Sequence, residues 1–221
     1  MSIKENVEKI RSGLPDDVLL VGVTKTRSVE EINEAIDAGI TDIGENKVQE
    51  VMDKYDGVKP VNWHFIGHLQ RNKVKYIIDK VSLIHSVDSI RLANEIDKRA
   101  AEHGLIMDIL IQINPADEES KFGVSLGETK DLLMEIADTC SNLRIRGLMS
   151  VAPFTEDPED VGTYFAQVKD LYDELGKINH ERIDFKYLSM GMSHDYEVAV
   201  TRGSNLVRVG TKIFGPRDYT K

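Results

Sequence analysis

The residue in this sequence best suited to covalent chemistry is a lysine that follows an apolar run. Residues 18–23 are apolar and rich in valine and leucine, and residues 28–39 have helical character, so Lys25 falls at a strand-to-helix corner. In α/β proteins ligands bind at such corners. Apolar backing disfavours the charged ammonium, and a neutral amine forms a Schiff base with an aldehyde. Two later segments have the composition of an anion cup. Ser189-Met190-Gly191-Met192-Ser193 offers two hydroxyls and a glycine, and Gly210-Thr211 offers a further glycine and hydroxyl. Phosphate is held by several convergent donors of this kind. Each segment also reads as an ordinary turn, which needs Gly and Ser in any case.

Arg208 is out of place in a strand. With Leu206 and Gly210 it shares one face, and Val207 and Val209 share the other. A buried arginine needs partners. An ion pair at a barrel rim and a contact to a ligand are both open readings. His64 and His68 have the four-residue spacing of helical metal ligands. However, Gly67 and the strand pattern around it argue against a helix, and no metal is expected. No P-loop or dinucleotide glycine motif is present. Trp63 reads as a core residue.

These residues are spaced by a regular alternation. A first helix with Ile3, Val7 and Ile10 on one face stops at Gly13-Leu14-Pro15-Asp16. Strands then fall at residues 18–25, 41–44, 62–67, 83–87, 107–114, 143–151, 185–190 and 205–209, the last running on to 214. Helices fall between them at about 28–39, 47–55, 72–80, 89–103, 129–139, 158–178 and 195–202. Ser28 with Glu31 forms a capping-box signature, and Pro153 stops strand six. Strict strand–helix alternation argues a parallel sheet covered by helices. Eight units argue closure into a (β/α)₈ TIM barrel with an extra N-terminal helix, although an open doubly wound sheet is the structural alternative. On this map the unusual residues gather at the C-terminal ends of the strands, the face on which barrels bind ligands. Residues 1–221 are expected to form a single domain.

Composition narrows the partners. The 221 residues carry 28 Lys and Arg against 38 Asp and Glu, a net charge of −10, which disfavours nucleic acid and anionic membranes. The lone Cys140 excludes an internal disulfide, fits a cytoplasmic setting and reads as a structural thiol. No apolar run approaches membrane-spanning length, and the N-terminus lacks a signal-peptide core.

Five segments together are specific. They are Val23-Thr24-Lys25-Thr26, Gly44-Glu45-Asn46, Trp63-His64-Phe65-Ile66-Gly67-His68-Leu69-Gln70-Arg71-Asn72-Lys73, Ser189-Met190-Gly191-Met192-Ser193-His194-Asp195 and Arg208-Val209-Gly210-Thr211-Lys212-Ile213-Phe214-Gly215. In these, and in order along nearly its whole length, the chain resembles the YggS/PROSC family, the pyridoxal phosphate homeostasis proteins. The resemblance implies a barrel like the N-terminal domain of alanine racemase, with pyridoxal 5′-phosphate as a Schiff base on Lys25. It implies that Ser189, Met192, Ser193, Gly210 and Thr211 belong to the phosphate segments and that Arg208 faces the pyridine nitrogen. Asn46 and His64 are implied on the same rim. It further implies a non-catalytic carrier acting in vitamin B6 and amino-acid homeostasis, with PLP-dependent apoenzymes as possible recipients. A monomer is expected. A weak amino-acid racemase and a Schiff-base aldolase rest on the same lysine and are the alternatives. An arginine at the pyridine nitrogen weakens the cofactor as an electron sink, which favours the carrier.

Overall fold

The computed structural model describes residues 2–118, 122–152 and 158–216, with backbone only at 158 and 159; Pro153 lies outside the described residues. Eight parallel strands close into a barrel in sequence order. They are β1 Leu19–Val23, β2 Asp42–Glu45, β3 Asn62–Phe65, β4 Leu83–Val87, β5 Met107–Ile113, β6 Leu143–Ser150, β7 Ile183–Ser189 and β8 Leu206–Val209. Closure pairs Val21 of β1 with Arg208 of β8. The open doubly wound sheet is thereby excluded.

The helices are α1 Ile3–Ser12, α2 Val29–Asp37, α3 Val48–Lys54, α4 Ile90–Glu102, α5 Thr129–Thr139, α6 Pro158–Leu175, α7 Tyr196–Thr201 and α8 Thr211–Phe214. α2 starts on the expected capping box, in which Glu31 N–H donates to Ser28 Oγ and Ser28 N–H to Glu31 Oε2, at 3.2 and 2.9 Å. It ends on Gly39 at φ +103°, a left-handed position that suits glycine. α1 packs against α2 and α8, and Asn6 Nδ2 donates to Ile213 O of α8 at 2.9 Å.

Two expectations need correction. The helix expected at 72–80 is a short 3₁₀ helix, Arg71–Tyr76, followed by turns. Its apolar residues Val74, Ile77 and Ile78 are buried, but their spacing does not distinguish one tight turn from an α-helix. Strand eight does not run on to 214. The Gly210 carbonyl accepts the N–H groups of Ile213 and Phe214, each at 2.9 Å, and turns the chain into α8.

Strand alternation divides the core in two. Val21, Leu83, Leu110, Met149 and Leu206 fill the barrel interior, and a larger apolar layer lies between sheet and helices. Arg208 follows Leu206 inward, while Val207 and Val209 join the outer layer, as their alternation predicts. Trp63 is core, and Cys140 is buried with its thiol on Asn94 Oδ1 at 3.4 Å. Among the described residues no helix is long and apolar enough to cross a membrane.

Candidate functional site

Lys25 is half-buried and lies two residues past β1, in a turn closed by the Arg27 N–H on the Thr24 carbonyl at 3.0 Å. The next residue, Thr26, has φ +64°, a region in which a β-branched residue is strained. Its N–H donates to Glu50 Oε2 at 2.6 Å. Glu50 in turn accepts from Lys54 Nζ at 2.8 Å, and the same ammonium donates to Glu45 Oε1 at 2.7 Å and to the Thr24 carbonyl at 2.9 Å. Thr24 Oγ1 donates to Glu45 Oε1 at 2.8 Å. One buried ammonium on α3 therefore fixes both neighbours of Lys25. Burial pushes the Glu45 carboxyl up, opposed by Lys54. Burial also opposes ionisation of Glu50, but the hydrogen bonds from Lys54 and Thr26 outweigh it and hold that carboxyl low. Beyond the turn, Arg27 Nη2 donates to Gly215 O at 2.6 Å and anchors the chain to the end of α8.

The loops after β7 and β8 meet beside this turn. The Gly210 N–H donates to Ser193 Oγ at 3.1 Å and ties the two segments together. Gly191 has φ +89°, and a Cβ there would come within 2.7 Å of Ala199 Cβ. A Cβ on Gly210 would press on Val23 at 3.3 Å. Half-buried Thr211 opens α8 directly after Gly210, and of the four α8 amides those of Ile213 and Phe214 are taken by the Gly210 carbonyl, which leaves the Thr211 and Lys212 amides at the start of the helix. Met192 is 37% exposed, and its N–H is taken by Asp195 Oδ1 at 2.6 Å.

Arg208 is buried in the barrel interior. Its Nη1 donates to the Ser189 carbonyl at 2.9 Å and to Ser189 Oγ, and its Nη2 donates to Ser150 O at 2.8 Å. Among the described residues no carboxylate forms an ion pair with it, so the rim ion pair is not what is found. Burial pushes the guanidinium down to about 10, which leaves it charged at neutral pH.

Two placements differ from expectation. Ser189 is fully buried between Arg208 and His85, whose Nδ1 lies 3.1 Å from Ser189 Oγ, so its hydroxyl is below the cup formed by Ser193 and Gly210. His64 is likewise beneath the rim. It sits within β3 and faces inward, with Nδ1 2.9 Å from His85 Nε2 and Nε2 3.1 Å from Asp42 Oδ1. The strand continues past it to Phe65, which keeps it off the rim. His68 is in a loop, stacked on Phe122 with ring centroids 3.8 Å apart. Asn46, past β2, carries a buried Oδ1 with no hydrogen-bond partner and lines a rim cavity of 240 Å³ with Lys47, His68 and Lys73. Sequence reasoning missed His85, Asp42 and the Glu45–Lys54–Glu50 network. The inward parity of Leu83 and His85 on β4 was the available signal for the first.

This site sits on a barrel of the alanine racemase N-terminal class. The model of that family, "Alanine racemase, N-terminal domain", matches residues 1–218. A pyridoxal phosphate homeostasis protein of Aquifex aeolicus (strain VF5) is 45% identical over 90% of this chain and 87% of its own length. One from Escherichia coli (strain K12) is 40% identical over 94% and 89%. The solved structure of PipY from Synechococcus elongatus PCC7942 with PLP bound is 33% identical, has a TM-score of 0.89 and covers 97% of this chain and 100% of PipY. The chain belongs to the YggS/PROSC family, the pyridoxal phosphate homeostasis proteins.

Proposed function

We propose that this protein binds pyridoxal 5′-phosphate as a Schiff base on Lys25 and acts as a carrier in PLP and amino-acid homeostasis. The observation that carries the reading is the pinned turn. Thr26 is held at a strained φ by the Glu50–Lys54 pair, and the residue thereby oriented is Lys25, beside the cup. Such strain persists where a site requires it.

The residues present fit the cofactor. The phosphate is assigned to Ser193, Thr211 and the amide that follows Gly210, with the backbone kept close by Gly191, where a Cβ has no room. The orphaned Asn46 Oδ1 is an acceptor in want of a donor. Arg208 is assigned to the pyridine nitrogen, with Ser189 and the Ser150 carbonyl holding its guanidinium. Met192 has the weakest support, because its N–H is already committed to Asp195. When bound, the cofactor supplies an aldehyde that condenses with an amine with loss of water, and a ring that withdraws electrons.

A non-catalytic role rests on Arg208. A guanidinium only donates, so it meets an unprotonated ring nitrogen and leaves the electron sink weak. The Aquifex aeolicus and Escherichia coli relatives carry the name of homeostasis proteins. Residues 1–221 are taken as one domain, monomeric and cytoplasmic, with PLP-dependent apoenzymes as recipients. The test is to load the protein with PLP in deuterated water and add L-alanine or L-serine. Bound PLP with no α-proton exchange and no D-enantiomer is expected. Sustained racemisation would replace the carrier with an enzyme, and failure to bind PLP would remove both.

A further inference from the structure

A line of polar side chains crosses the barrel interior. It begins at Asp42 near the start of β2, whose Oδ2 accepts from Thr41 Oγ1 at 2.6 Å. It continues through His64 on β3 and His85 on β4 to Ser189 at the end of β7 and Arg208 on β8. Every member from Asp42 to Arg208 is buried. Thr41 aside, the line joins an anion at one end of the barrel to a cation near the other.

The direction of each hydrogen bond follows from its ends. A guanidinium only donates, and a carboxylate only accepts. Ser189 Oγ therefore accepts from Arg208. Asp42 Oδ1 accepts from His64, which places a proton on His64 Nε2. With both rings neutral, His64 Nδ1 is then a lone pair and must accept from His85 Nε2–H. That leaves His85 Nδ1 to accept the Ser189 O–H. All bonds point from the cation to the anion.

One proton more gives a second complete arrangement. When His64 holds both ring protons, its Nδ1–H donates to His85 Nε2, and His85 must carry its own proton on Nδ1 and donate to Ser189 Oγ. The hydroxyl then accepts from His85 and Arg208 together, keeps its own hydrogen and turns it away from His85 Nδ1. The balance is one proton gained from solvent, with the charge on His64 beside Asp42, His85 neutral in its other tautomer, and the His64–His85 and His85–Ser189 hydrogen bonds reversed.

We propose that the Asp42–His64–His85–Ser189 line is a proton-coupled switch, in which protonation of His64 reverses the His85 tautomer and resets the hydroxyl that supports Arg208. His64, His85 and Ser189 are positioning residues for Arg208. The inference concerns the ligand-free chain and is independent of what the rim binds. The charged and titratable groups acting on the line are Asp42 on β2, His64 on β3, His85 on β4, Arg208 on β8 and Asp195 before α7, which acts on Arg208. Burial, then His64, then Arg208 push the His85 ring well down, which keeps it neutral in both states. Burial pushes Asp42 up, but hydrogen bonds from His64 and Thr41 prevail and keep it an anion.

The experiment is long-range proton–nitrogen NMR on ligand-free protein labelled with ¹⁵N-histidine, titrated from ~pH 9 to ~pH 5. At the alkaline end, both His64 and His85 should show the Nε2–H tautomer. As His64 becomes doubly protonated, His85 should convert to Nδ1–H with the same midpoint, and the Arg208 side-chain resonances should move with it. Asp42→Asn should hold the alkaline pattern to lower pH. The proposal is overturned if His85 is already Nδ1–H at the alkaline end, if it keeps Nε2–H after His64 is charged, if it becomes charged itself, or if His64 stays neutral throughout.

Discussion

The Ser193 hydroxyl accepts the Gly210 N–H at 3.1 Å, and this contact joins the loop after β7 to the turn into α8. The two segments are 17 residues apart in sequence, and each alone is an unremarkable turn. Joined, they form one concave set of hydroxyls and amides beside the turn that carries Lys25. Ser193 Oγ still has its hydrogen to donate after accepting from Gly210.

Ser193→Ala or Thr211→Val should therefore weaken retention of PLP by about one charge-assisted hydrogen bond, ~1–3 kcal/mol, or roughly 5- to 150-fold in Kd. Equilibrium dialysis against PLP reads this directly. Wild-type retention in both variants would contradict the phosphate assignment.

Lys54→Met should destabilise the fold by ~3–5 kcal/mol in urea denaturation, because it leaves the Glu45 carboxyl buried without its counter-charge. Glu50→Gln should cost less, since an amide oxygen can still accept the Thr26 N–H. Equal losses in the two variants would show that the turn does not depend on the shared ammonium.

Thr26→Gly removes a strained left-handed threonine. Relief of ~1–3 kcal/mol of strain outweighs ~0.5–1 kcal/mol of added chain entropy, so the variant should melt slightly higher than wild type. A clearly lower melting temperature would mean that the threonine side chain contributes packing that exceeds its strain.

Asp42→Asn gives a pH-dependent loss of stability. The folded Asp42 carboxyl is held below its unfolded value of ~3.9, so its contribution is complete above that value and is lost as pH falls through the folded one. The gap to wild type should be about 2 kcal/mol near neutral pH and should collapse only once pH falls below the unfolded value of ~3.9. A gap that persists well below that value would contradict the ionised Asp42–His64 contact.

Local pattern carried the barrel and the placement of single residues on it. Strand alternation put Arg208 on the inner face with Leu206, and the Ser28–Glu31 capping box placed the start of α2. It failed where the deciding contact is remote or where two structures share a spacing. Nothing near His85 points to Ser189, 104 residues away, and Lys54 reads as a surface helix residue until Glu45 is seen beneath it. The 3₁₀ segment 71–76 failed for the second reason: three buried apolar side chains suit either kind of helix. The resemblance implies His64 on the rim, whereas inward parity, Asp42 and His85 hold it inside the barrel.

The most direct measurement of the central claim is borohydride reduction of the PLP-loaded protein followed by peptide mass mapping. A reduced pyridoxyl-phosphate group on Lys25, absent in Lys25→Ala, is the expected result. An unmodified Lys25 in protein saturated with the cofactor, or the adduct on another lysine, would contradict it.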